Sequence, residues 1–200
     1  MPGRSVAIVG AALSDCGRVD DKSPYDLHFQ AASRALADAG LRRDEVDGFG
    51  SVGMGMLPPI EVAEYLGLRP TWADSTGVGG STWEVMVEHA VAAVEHGDVE
   101  VVVLAYGSTA RADLKKRLRS ANVALSSRGP AQFDTPFGHT LIAKYAMAAR
   151  RHMHEFGTTI EQLAEVAVSA RANAALNPDA FYRDPITIDA HRLVLHLELP

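Results

Sequence analysis

The sequence predicts an α/β protein: a mostly parallel sheet with helices on both faces and a helical loop excursion. Three observations carry that expectation. Short apolar runs rich in β-branched residues alternate with longer stretches whose apolar positions recur at helical spacing. The strongest run, Glu100-Val101-Val102-Val103-Leu104-Ala105-Tyr106, is apolar at nearly every position, as a strand covered on both faces should be. Glycines punctuate the ends of the helical stretches, at Gly40, Gly67, Gly97 and Gly157. Strands alternating with helices in this way argue for right-handed crossovers and parallel strands.

Taken in order, residues 5–12 (Ser-Val-Ala-Ile-Val-Gly-Ala-Ala) read as a buried strand closed by small residues. Ser23 then caps a helix with Pro24 at its first position. Leu27, Ala31, Ala35 and Leu36 share one face of it, and Gly40 stops it. Residues 46–52 predict a short strand, 61–66 a short helix, and 71–73 another short strand. A glycine turn follows, then a helix from about Ser81 to His96 and the valine-rich strand. Residues 107–135 carry more Arg, Lys, Ser and Gly and less periodicity, which suggests an excursion over the active face. Residues 136–156 predict a helix, and Thr158 or Thr159 caps a further one running to about Ala175, with Glu161 and Gln162 in its first turn. Asn177-Pro178-Asp179 breaks that pattern.

Bulk properties narrow the function. Of 200 residues, 47% are hydrophobic and 22% charged, so a buried core is expected. A net charge of -6 disfavours nucleic acid and anionic membranes as partners. The single cysteine, Cys16, excludes an intrachain disulfide framework and fits a reduced, cytoplasmic setting. The amino-terminal run is too short for a membrane span and lacks the layout of a secretion signal.

Some motif matches fail on context. Gly48-Phe49-Gly50-Ser51-Val52-Gly53 has dinucleotide-fingerprint spacing, but its lead-in is polar and no helix opens at Gly53. Gly77-Val78-Gly79-Gly80-Ser81-Thr82 lacks the lysine of a phosphate loop. His152 and His154, and His89 and His96, miss the spacing that places two ligands on one helical face, so no metal is expected. Tyr106, at the end of the valine-rich strand, and His139 are pocket candidates, with plain packing and a surface or capping role as their respective alternatives. Cys16 reads as a cysteine without a role.

Several segments in order then resemble a known family. They are Val6-Ala7-Ile8-Val9-Gly10-Ala11, Ala35-Leu36-Ala37-Asp38-Ala39-Gly40-Leu41 with Val46-Asp47-Gly48 behind it, the Gly77 turn, and Gly97-Asp98 before the valine-rich strand. Lys144-Tyr145-Ala146-Met147, His152 through Ala164, Asn177-Pro178 and Ile186-Thr187 continue the match. Over residues 5–189 the chain resembles the amino-terminal half of the thiolase superfamily. It is closest to the sterol-carrier and lipid-transfer-type proteins of the steroid side-chain aldolase group.

The resemblance implies a thiolase-like half, with residues 107–180 as its loop region, and a truncated form, since no second half follows. Aligned on Gly80-Ser81-Thr82, the family's nucleophilic cysteine falls on Gly77; aligned on the degradative pattern, it falls near Val78. The implied chemistry is retro-aldol cleavage of an acyl-CoA thioester without an acyl-enzyme, the CoA thioester being substrate and no cofactor being needed. A non-catalytic lipid- or acyl-CoA-binding subunit and an acyltransferase by homology are the alternatives. The amides of Val78, Gly79, Gly80 and Ser81 could still hold an anion or oxyanion, or the glycines could serve only close packing. Arg111, Lys115 and Lys116, in a basic stretch with Arg117 and Arg119, would approach the CoA phosphates or form a solvated helix face. A homodimer and a small OB-fold acyl-CoA-binding partner are also implied. Residues 190–200 depart from the family pattern: either a shifted reading frame or a period-two edge strand accounts for Leu193, Leu195, Leu197 and Leu199.

Overall fold

The computed structural model describes residues 4–52, 57–115, 131–134 and 141–188. The chain divides into two compact units, Met1–Leu118 and Arg119–Pro200.

In the first unit, α1 (Pro24–Ala39) and a short 3-10 turn (Arg43–Glu45) precede β1 (Gly48–Gly50), α2 (Pro58–Leu66) and β2 (Trp72–Asp74). A second 3-10 turn (Gly79–Ser81) leads into α3 (Thr82–His96), then β3 (Val102–Leu104) and α4 (Ala110–Lys115). The strands form a parallel sheet in the order β2-β1-β3, with Phe49 opposite Ala73 on one side and Val103 on the other. The predicted parallel α/β architecture is what forms.

Local sequence explains the helix ends. Ser23 accepts from the Asp26 amide while Asp26 accepts from the Ser23 amide, a reciprocal cap, and Pro24 costs nothing where no intrahelical donor is needed. α2 starts at Pro58, earlier than the expected Glu61, because Pro58 and Pro59 suit the first turn for the same reason.

Successive side chains of a strand point to opposite faces. Phe49, fully buried, packs with Ala32 and Leu36 of α1 and Val62, Ala63 and Leu66 of α2. On the other face, a Cβ at Gly50 would meet Met86 of α3 at 2.5 Å, so α3 rests directly on the strand backbone. Burying Phe49 contributes roughly 2–3 kcal/mol by transfer from water alone. The Asp47 carboxylate binds the strand starts together, accepting from the amides of Glu100 at 2.9 Å and Val101 at 2.8 Å.

Residues 5–12 correct the sequence reading. They are not part of the sheet, and no backbone hydrogen bond among the described residues pairs them with a strand. Ile8 and Val9 are 82% and 62% exposed. Their composition suits a strand, but a strand forms only against a paired edge, and these residues face β3 across a groove of about 1060 Å³. Ala31 and Ala35 of α1 and Val87 and Val91 of α3 close that groove's two faces.

The second unit contains α5 (Ala131–Asp134), α6 (Leu141–Phe156) and α7 (Ile160–Leu176). Thr159 caps α7 by the same reciprocal arrangement, here with Gln162, which selects it over Thr158. Asn177 ends the helix as expected, and Arg171 ties the following segment back by donating to the Asp184 carbonyl at 2.7 Å. The expected first turn of the helix over 136–156 and the tail at 190–200 lie outside the described residues.

Candidate active site

Parallel strands bring their carboxyl ends to one edge of the sheet, where ligands of open α/β folds bind. Here that edge collects Ser51 just after β1, Asp74 at the end of β2, and Tyr106 just beyond β3. The glycine turn leaves the same edge, from Asp74 toward α3.

The turn is built on Asp74. Its Oδ1 accepts from the Thr76 amide at 2.8 Å and the Thr76 hydroxyl at 2.7 Å, and its Oδ2 accepts from His89 Nδ1 at 2.8 Å. Burial pushes this carboxyl's pKa up, but the Thr76 and His89 contacts together outweigh it and hold the pKa below its ordinary value. The Asp74 carboxylate thereby orients the His89 imidazole through Nδ1.

Gly77 is exposed, and a Cβ there meets nothing within 4 Å among the described residues. Gly79 and Gly80 are equally open, with no close packing at any of the three among the described residues. Only Gly79 among them takes a left-handed φ, at 81°. The Val78 amide donates to Thr82 Oγ1 at 3.0 Å, which removes it from the expected anion-binding set. Gly79, Gly80 and Ser81 remain, in the 3-10 turn that opens α3, whose Ser81 makes no side-chain cap. Helix N-terminal amides of this kind attract an anion through unpaired N–H groups and the helix dipole.

Tyr106 is half exposed, with its ring centroid 5.6 Å from that of Trp83 in the first turn of α3 and 6.2 Å from that of His28. His28 is fully buried and was not anticipated. Its Nδ1–H donates to the Pro24 carbonyl at 2.7 Å, while Nε2 accepts from the Gly107 amide at 3.1 Å and the Ser51 hydroxyl at 3.2 Å. A carbonyl can only accept and an amide can only donate, so these partners fix one neutral tautomer. Burial lowers the His28 pKa, against the opposing pull of the Pro24 carbonyl. Gly107 has to be glycine: a Cβ would lie 2.5 Å from the Pro24 oxygen and 2.6 Å from His28 Nδ1. The strand end carrying Tyr106 is thereby fastened to the start of α1.

Arg111 is exposed on α4; Lys115 lies on the same helix, its side chain outside the described residues, as are Lys116 and His139. Cys16 is exposed in a loop, its thiol 3.3 Å from the Ser14 carbonyl. Among the described residues no three His, Cys, Asp or Glu side chains group to hold a metal, and no helix is long and apolar enough to cross a membrane.

No family model matches the chain. It is 33% identical over 198 residues to a steroid side-chain-cleaving aldolase of Thermomonospora curvata, covering 96% of this chain and 50% of that protein. It is 35% identical over 192 residues to a 17-hydroxy-3-oxo-4-pregnene-20-carboxyl-CoA lyase of Mycobacterium tuberculosis, covering 93% and 50%. The chain thus spans about half the length of the curated relatives it matches. Among solved structures, the Ltp2-ChsH2(DUF35) aldolase superposes with a TM-score of 0.78 at 33% identity, covering 93% of this chain and 48% of that one. A monomeric SCP2-thiolase like protein from Mycobacterium smegmatis shares the fold, with a TM-score of 0.58 at 17% identity over 92% of this chain and 38% of that one. The chain belongs to the thiolase-like superfamily.

Proposed function

We propose that this chain takes part in retro-aldol cleavage of an acyl-CoA thioester of steroid or related lipid metabolism, without an acyl-enzyme. The observation that carries the reading is Gly77: the turn and the helix start are kept, and the residue in the nucleophile's place has no side chain. The likeness to an aldolase and a carboxyl-CoA lyase over nearly the whole chain supports the same chemistry. Such a cleavage needs an anion stabiliser where the enolate forms, and the Gly79, Gly80 and Ser81 amides suit that role. Tyr106 lines the acyl end of the site. Arg111, Lys115 and Lys116 receive the CoA phosphates.

By the same resemblance, the protein acts in the cytoplasm as a homodimer with a small OB-fold acyl-CoA-binding partner. The aldolase structure it matches has two named components, which supports a partner. A non-catalytic acyl-CoA-binding subunit is the second reading, favoured by a turn that keeps its amides and lacks a nucleophile.

The experiment is incubation of the full chain with labelled acetyl-CoA and acetoacetyl-CoA, followed by intact-mass analysis. No adduct is expected, and a stoichiometric acyl mass on residues 76–82 would overturn the reading. Saturable acyl-CoA binding with no cleavage of a β-hydroxyacyl-CoA, alone or with a partner, selects the binding subunit instead.

A further inference from the structure

We propose that His28 is a positioning residue, whose uncharged imidazole holds the Tyr106 ring in place at the acyl end of the site. The inference rests on the reading of Tyr106 as a lining residue of that end, and adds the group that sets its position.

Tyr106 stands between two anchors. On one side the Ala105 amide makes the last bond to β1, donating to the Gly50 carbonyl at 3.0 Å. On the other side the Gly107 amide donates to His28 Nε2 at 3.1 Å. Ala105 and Gly107 are buried, and Tyr106 between them is half exposed. Among the described residues, neither the Tyr106 amide nor its hydroxyl makes a hydrogen bond. A peptide unit is planar, so fixing the direction of the Gly107 N–H also fixes the turn of the chain at Tyr106. The ring is thereby held beside Trp83 at the start of α3, 5.6 Å away between centroids.

The acceptor is itself fixed. The Nδ1–H bond to the Pro24 carbonyl sets the neutral tautomer and leaves Nε2 to accept. The Ser51 hydroxyl shares Nε2 at 3.2 Å, and the Ser51 amide donates in turn to the Asp74 carbonyl at 3.1 Å. Gly107 lies so close that a Cβ there would stand 2.7 Å from the His28 amide nitrogen. An apolar side chain would fill this space without the cost of burying a ring with two polar atoms. It would offer the Gly107 amide no acceptor.

Charge undoes the arrangement. A protonated imidazole has two donors and no acceptor, so its Nε2–H would face the Gly107 N–H. The groups around the ring are the Pro24 carbonyl on α1, the Ser51 hydroxyl after β1, and the Gly107 amide and titratable Tyr106 ring after β3. Among the described residues no carboxylate, cation or second histidine pairs with it, and burial favours its neutral form.

The test separates the two ring nitrogens. A Gln side chain sets an amide oxygen near the place of Nε2, whereas an Asn side chain reaches only the place of Nδ1. The full chain, His28→Gln and His28→Asn are labelled with 3-fluorotyrosine, and the Tyr106 fluorine signal is assigned by its loss in Tyr106→Phe. His28→Gln should keep the parent's Tyr106 signal and its affinity for octanoyl-CoA. His28→Asn should displace the signal and weaken octanoyl-CoA binding roughly fivefold or more, with binding of CoA itself unchanged. In the parent the signal should also move as pH falls below 6.5, ahead of any loss of far-UV circular dichroism, and in His28→Gln it should not. That titration decides the matter should His28→Asn fail to fold. The proposal is overturned if both variants displace the signal alike, if neither does, or if the parent's signal stays fixed until the chain unfolds. Failure of octanoyl-CoA to bind the parent would count against the reaction proposed above and not against this inference, because the fluorine signal is read without ligand.

Discussion

Alanine placed at Gly77 and at Gly79, two positions apart in one turn, should change stability in opposite directions. Gly77 has no left-handed φ and open space where a Cβ would stand. Its replacement removes freedom from the unfolded chain without straining the folded one, a gain of about 0.4–1 kcal/mol. Gly79 is equally open but holds φ at 81°. A side chain there costs about 1–2 kcal/mol of backbone strain, which the same unfolded-state gain only partly offsets. The two variants should therefore differ by about 1–2 kcal/mol, and for a chain of this size each kcal/mol moves Tm by roughly 2–4 °C. Urea and thermal unfolding of the full chain, followed by far-UV circular dichroism, measure the difference. If Gly77→Ala loses more than about 1 kcal/mol, or Gly79→Ala matches the parent, the geometry assigned to the turn is wrong. The same openness leaves room for the Cβ of Gly77→Cys among the described residues.

His28→Ala should cost roughly 2–4 kcal/mol in the same unfolding measurement, because it empties a fully buried site and leaves the Gly107 amide and Ser51 hydroxyl without their shared acceptor; a loss under about 0.5 kcal/mol would refute that. Stability should also fall on mild acidification. Burial holds the folded His28 below the ordinary 6.5, so the unfolded chain takes up a proton that the folded chain refuses. The contribution is full above about pH 6.5 and declines as pH drops from there toward the folded value. His28→Gln, which keeps a donor and an acceptor, should flatten that decline, and an unchanged pH profile in the variant would count against it. The half-buried Asp15 and Asp26, each lowered to about 2 by its hydrogen-bonding neighbours, act in a separate window between their ordinary 3.8 and that value.

What the sequence disclosed was what short-range chemistry decides. Ser23 with Pro24, Thr159 with Gln162, and the terminal glycines mark helix ends because every participant lies within a few residues. β3 was legible because its β-branched apolar run has few other uses. Residues 5–12 show the limit: their composition suits a strand, but pairing depends on an adjacent edge that composition cannot supply. His28 was missed for a related reason. On α1 it occupies an ordinary inward-facing position, and its partners Ser51 and Gly107 lie 23 and 79 residues away. The family pattern located the glycine turn, but not that Val78's amide is taken by Thr82 or that Asp74 organises the segment, since both depend on how the turn folds back on itself.

The tie made by Asp47 has a temporal consequence during synthesis. Its carboxylate waits for the amides of Glu100 and Val101, 53 and 54 residues later in the chain. At about 5–20 residues per second, the ribosome takes roughly 3–11 s to deliver them after Asp47 has been joined. Through that interval Phe49 has neither β3 beside it nor a closed core to enter, while α1 is already made and α2 follows early in it. The nascent chain thus passes through a stage, seconds long, in which an apolar strand is flanked by finished helices and lacks its long-range neighbour, a substrate for chaperones that hold hydrophobic segments.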